Sequence, residues 1–125
     1  MRKDRVIQKI FDTIEPFAPN GWAKLVFYAE YDQYSYSMEF YALSDGRFVK
    51  CFDLPGVSRN DLIEAFDKID KALATERKKL SGKNTWTSMT MVVQSDGKVK
   101  VDYDYADLTE GAYAYKKAWK KKYLN

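Results

Sequence analysis

The residues best suited to chemistry in this chain form an acidic row, Asp102, Asp104, Asp107 and Glu110, with no base between the first and the last. Asp102 and Asp104 are two residues apart, so on a β-strand they share one face. With Glu110 they could bridge a hard cation or run acid–base chemistry. Lys98 and Lys100 fall on the same face and neutralise the row, which weighs against a metal. Two other readings stay open, a solvated outer face and an acidic patch that meets a basic protein partner.

Other chemistry is restricted by composition. The chain has no histidine, which removes the usual general base near neutral pH, the Ser and Cys triads and the commonest zinc ligand. Cys51 is the single cysteine, so no intrachain disulfide or thiolate cluster can form. It lies in the apolar run Phe48-Val49-Lys50-Cys51-Phe52 and reads as a small packed thiol. The six glycines lie singly, so no glycine-rich phosphate loop exists. These features predict a non-enzymatic protein with no cofactor and no metal.

The net charge of +3 is segregated. Lys116, Lys117, Lys120, Lys121 and Lys122 supply more than all of it, leaving the rest of the chain net acidic. Interleaved with Tyr115, Trp119 and Tyr123, these lysines have the composition of a nucleic-acid footprint. The aromatics, however, fall on a stripe of their own, as in a helix docked on a core, and lysines complement a helix C-terminus. Nucleic-acid binding is therefore the weaker reading. No run of 18 apolar residues occurs and the N-terminus is no signal core, so the expected setting is cytoplasmic, with no membrane partner.

The elements that must position these residues follow from periodicity. Val6, Ile7, Ile10, Phe11 and Ile14 form a helical stripe over 3–15, stopped by Pro16 and Pro19. Residues 22–31 alternate, with Ala23, Leu25, Phe27, Ala29 and Tyr31 on one face. Residues 34–43 repeat this with Tyr34, Tyr36, Met38, Phe40 and Ala42. Ser44-Asp45-Gly46 turns the chain into a third strand near 47–53. Ser58 is positioned to cap a helix lined by Leu62, Ile63, Phe66, Ile69 and Leu73 and ending near Gly82. A hairpin of 86–94 and 98–105 turns at Ser95-Asp96-Gly97, and a last helix spans about 110–123. Trp22 and Trp86 begin strands and should close the core edge. The order α-βββ-α-ββ-α predicts an α+β fold in one domain over 1–125. It would have a single antiparallel sheet of about five strands with the helices packed on one face. Tyr103, Tyr105 and Trp119 are then expected to face inward, leaving the acids outside.

The second half also carries motifs in a familiar order. They are Trp86-Thr87 at a strand start, Gly97-Lys98 in the hairpin, Tyr103-Asp104-Tyr105-Ala106-Asp107-Leu108, and Trp119 with Tyr123-Leu124 at the close. Gly21-Trp22 and Tyr28-Ala29-Glu30 add a looser match in the first half. In these the chain resembles the YezG-like bacterial immunity proteins. Ahead of Trp119 it departs from that pattern, with Gly111-Ala112-Tyr113-Ala114-Tyr115-Lys116-Lys117 in place of an acidic or Ser-Pro element and a Glu-Arg pair. The resemblance implies an antitoxin that occludes the nuclease domain of a secreted toxin, often an LXG toxin of a type VII system. Asp102, Tyr103, Asp104, Tyr105, Asp107 and Glu110 are the candidate partner contacts. The oligomeric state is left open.

Overall fold

The computed structural model describes residues 2–32, 35–108 and 111–125. The first helix, α1 (Arg2–Ile14), buries Ile10 and Ile14 completely. Strands β1 (Lys24–Tyr31) and β2 (Tyr36–Ser44) pair antiparallel, Leu25 opposite Ala42 and Ala29 opposite Met38. Asp45 and Gly46 both take positive φ, +52° and +80°, the paired left-handed geometry of a two-residue hairpin turn. That turn leads into β3 (Arg47–Lys50). Ser58 caps α2 (Arg59–Arg77) by accepting a bond from the Asp61 amide, as its position predicts. The hairpin of β4 (Ser88–Gln94) and β5 (Val99–Asp104) precedes α3 (Ala112–Tyr123). The α-βββ-α-ββ-α order and the five-stranded antiparallel sheet are as expected, with strand order β3-β2-β1-β4-β5.

One face of the sheet holds the main core. Leu25, Phe27, Ala29, Met38, Phe40, Ala42, Met89, Met91 and Val93 meet Ile10 and Ile14 of α1 and Leu62, Phe66, Ile69 and Leu73 of α2. Trp86 is buried at its edge, while Trp22 is partly buried against Phe11. Cys51 is fully buried, as expected of a packed thiol.

The expectation that all helices share one face is overturned. Helix α3 lies on the opposite side, where Trp119 joins Val26, Tyr28 and Tyr41 in a second apolar cluster. β1 is therefore buried on both faces, and its run Leu25-Val26-Phe27-Tyr28-Ala29 is the near-continuous apolar sequence that such a strand requires. Trp119 faces inward, but toward this second cluster; Tyr103 packs on the main core, and Tyr105 stands 54 % exposed.

Smaller departures concern ends. β3 stops at Lys50 because Cys51–Asp53 turn as a 3-10 segment, and α2 stops at Arg77. Ile63 points to solvent rather than joining the stripe of Leu62 and Phe66. Tyr34, expected on the buried face of β2, lies outside the described residues. Among the described residues, no helix is long and apolar enough to cross a membrane.

Candidate partner-binding surface

The β4–β5 register places Ser88 opposite Asp104 and Thr90 opposite Asp102. These four polar side chains share the sheet face under α3. The helix meets them with Tyr115, Trp119 and Tyr123, spaced four apart on one face. The Tyr123 hydroxyl donates to Asp102 Oδ2 at 2.7 Å, and Trp119 Nε1 donates to Thr90 Oγ1 at 2.9 Å. The Tyr115 hydroxyl lies 2.8 Å from both Ser88 Oγ and Asp104 Oδ2. Asp102 and Asp104 are thus tethers for the last helix rather than a bare outer row.

Asp104 also shapes the chain that leaves β5. Its Oδ1 accepts from the amides of Tyr105 (2.7 Å) and Ala106 (3.1 Å), while Thr87 Oγ1 donates to the Ala106 carbonyl at 2.6 Å. Burial opposes ionisation of Asp104, but the Tyr115 hydroxyl and the two amides outweigh it and hold the carboxyl below its usual range. Burial, with the bond to Asp104, in turn pushes the Tyr115 phenol up to about 12.

A charge cluster that periodicity did not single out lies deeper under α3. Glu39 is 8 % exposed and accepts a short hydrogen bond from the Tyr41 hydroxyl. Its carboxylate also meets Lys116 Nζ at 3.0 Å and Lys50 Nζ at 3.9 Å. Burial works against the charge on Glu39. The Tyr41 bond and the Lys116 ammonium prevail and keep the group below the ordinary carboxylate range. Lys116 itself sits 4.1 Å from the Tyr28 ring centroid and 5.1 Å from that of Trp119, a partly buried cation over aromatic faces. The available signal was Val26, Tyr28 and Tyr41 at positions that alternation assigns to solvent.

Between α3 and the hairpin lies a cleft of about 210 Å³, lined by Ser88, Thr90, Asp102, Asp104, Tyr115 and Tyr123 among others. Its carboxylates accept bonds from phenols and amides. Among the described residues, no group of three or more His, Cys, Asp or Glu could hold a metal ion.

Of the six candidate contacts, the structure brings Asp102 and Asp104 together under α3 and sends Tyr103 toward the main core, where its ring lies 5.5 Å from that of Trp86. Tyr105 and Asp107 are exposed beyond the strand, and Glu110 lies outside the described residues. Tyr105 and Leu80 flank a groove of about 290 Å³ floored by Val6, Ile7, Leu73 and Trp86. On α3 the aromatic stripe faces the sheet, and Lys117, Lys120, Lys121 and Lys122 face solvent.

A comparison with curated proteins returned no match. The family model described as "Immunity protein YezG-like" matches residues 4–125. With nearly the whole length matched, the chain belongs to the YezG-like immunity protein family.

Proposed function

We propose that this protein is an antitoxin that binds the nuclease domain of a cognate secreted toxin and blocks it stoichiometrically in the cytoplasm of the producing cell. The observation that carries the reading is the immunity-family match over residues 4–125. A toxin of the LXG class exported by a type VII system is the target we favour. The contact surface is the end of β5 and the segment after it. Exposed Tyr105 and Asp107 stand at its centre, with Asp102, Tyr103 and Asp104 around them. Tyrosine offers a large amphipathic anchor, and carboxylates would complement the basic surface of a nucleic-acid-cleaving enzyme. An immunity protein of this kind needs no catalytic group, only an interface of roughly 800 Å² per partner.

The test is co-expression with toxin genes encoded beside this one. The bound toxin should co-purify at one-to-one stoichiometry and lose its nuclease activity, and the combined change Tyr105→Ala with Asp107→Lys should weaken binding without unfolding the chain. If no neighbouring toxin is bound or neutralised, the reading fails.

A further inference from the structure

The rings that gave α3 the composition of a nucleic-acid footprint, Tyr115, Trp119 and Tyr123, are turned to the sheet. The other side of the helix carries a different set. Tyr113, Lys117 and Lys120 fall at i, i+4 and i+7 and form one row about 10 Å long, with Lys121 beside it. Tyr113 is 75 % exposed, and the three lysines are exposed as well. Among the described residues, no ion pair joins Lys117, Lys120 or Lys121 to an acid. Lys116 and Lys120 are like charges at i, i+4, as are Lys117 and Lys121, a spacing that destabilises a helix. The helix dipole accounts for cations in the last turn, where Lys120 and Lys121 lie, but it fades before Lys117.

The row continues onto a second element. The C-terminal end of α3 borders the β2–β3 hairpin across an open groove of about 700 Å³, lined by Arg47, Lys50, Lys120, Tyr41, Phe48 and Asp53 among others. Arg47 is exposed and, among the described residues, has no carboxylate partner. Lys50 approaches Glu39 at 3.9 Å, although Lys116 holds that carboxylate more closely, at 3.0 Å. Three cations therefore share the groove with Asp53, beside the partly buried ring of Phe48. The sequence did not bring this hairpin and α3 together, because the two lie far apart in the chain.

Unneutralised cations call for an anion, and the rings beside them narrow its class. A lipid surface would need large apolar side chains to insert, and this side of α3 offers only Ala114 and Ala118 beside the row. An acidic peptide would leave the exposed Tyr113 ring unused. A cationic track that starts at an exposed aromatic and runs into a groove beside another suits a single strand, whose phosphates follow the cations while its bases stack on the rings. We propose that α3 and the β2–β3 hairpin form a binding site for single-stranded nucleic acid. Arg47, Lys117, Lys120 and Lys121 meet the phosphates, and Tyr113 stacks against a base. β3 and β5 are opposite edges of the sheet, so this site is separate from the toxin surface beyond β5.

The experiment uses the purified chain without toxin, so its outcome is separate from that of the immunity reading. Fluorescence anisotropy of a labelled oligothymidylate of about twelve nucleotides should rise on titration with the protein. With four cations on phosphates, the logarithm of affinity should fall against that of salt concentration with a slope of about −3. Lys117→Gln combined with Lys121→Gln should cut that slope to about half, and Arg47→Gln combined with Lys120→Gln should do the same. Lys9→Gln combined with Lys71→Gln makes the same charge change at exposed residues of α1 and α2, across the sheet, and should leave affinity and slope as they were. Tyr113→Ala should weaken binding about tenfold and keep the slope, because stacking releases no counterions. No binding at about 50 mM salt would overturn the proposal. So would an equal loss in the Lys9 and Lys71 variant, which would make the attraction one of net charge. Competition by polyglutamate as strong as by unlabelled oligothymidylate would also overturn it, assigning the groove to an acidic protein.

Discussion

The two faces of the sheet are held by different physics. Under α1 and α2 the contact is almost wholly apolar, with Phe27, Phe40, Met89 and Met91 fully buried. Under α3 a smaller buried cluster of Val26, Tyr28, Tyr41 and Trp119, flanked by partly buried Phe48, Val92 and Leu124, is joined by directional bonds from Tyr115, Trp119, Tyr123 and Lys116. Apolar burial scales with area and tolerates small shifts, whereas hydrogen bonds and ion pairs depend on distance and protonation. The first face should therefore respond to cavities, and the second to single polar atoms and to pH.

The largest effect should come from Phe27→Ala, at about 3–5 kcal/mol, since it opens a cavity in the face that carries the fold. Denaturant titration should show one transition moved as a whole. If only α3 melts, the contrast between faces is wrong. Trp119→Ala should cost somewhat less, about 2–4 kcal/mol, and act locally. Hydrogen exchange should report lost protection in α3 while β1, β2 and β4 keep theirs; uniform loss would merge the two faces into one cooperative unit.

Glu39→Gln should cost about 1–3 kcal/mol, because it leaves Lys116 beneath α3 without its counter-charge. The same site sets an acid limit. The folded pKa of Glu39 lies below its unfolded value of about 4.3, so its contribution is complete above that pH and is lost as pH falls through the folded value. Asp104 shifts in the same direction. Acid should thus loosen α3 before the α1–α2 face, and Glu39→Gln should flatten that dependence when followed by Trp119 fluorescence. Tyr115→Phe should show the smallest change, about 1 kcal/mol, through the bonds to Ser88 and Asp104. With the phenol raised to about 12, its contribution is complete below about pH 10 and fades as pH climbs through 12. The variant should match wild type above that range, and a difference that persists there would assign the effect to packing.

Much of the fold could be read from the sequence because the α1–α2 face follows simple periodicity. Ile10, Ile14, Leu62, Phe66, Ile69 and Leu73 fall at helical spacing, and Leu25, Phe27 and Ala29 alternate. The α3 face departs from that periodicity for a physical reason. Alternation assigns Glu39, Asp102 and Asp104 to solvent, but a carboxylate is tolerated beneath a helix once phenols and an ammonium satisfy it. Partners that lie far off in the chain, such as Lys116 for Glu39, leave no periodic trace. The acidic row was thus found by residue type, but its orientation depended on α3, whose side of the sheet strand patterns do not encode.

The strand order carries a consequence for how the chain assembles. β1, β2 and β3 follow one another as a meander and β4–β5 is a tight hairpin, so both pieces close short loops. Among the strand pairings of the described residues, only the β1–β4 seam, with Lys24 opposite Gln94, joins distant parts of the chain, across the whole of α2. Loop-closure entropy makes such a seam slow to form. Folding should therefore be limited by docking of the two pieces, and a valine-to-alanine change at Val26 should slow folding more than one at Val49.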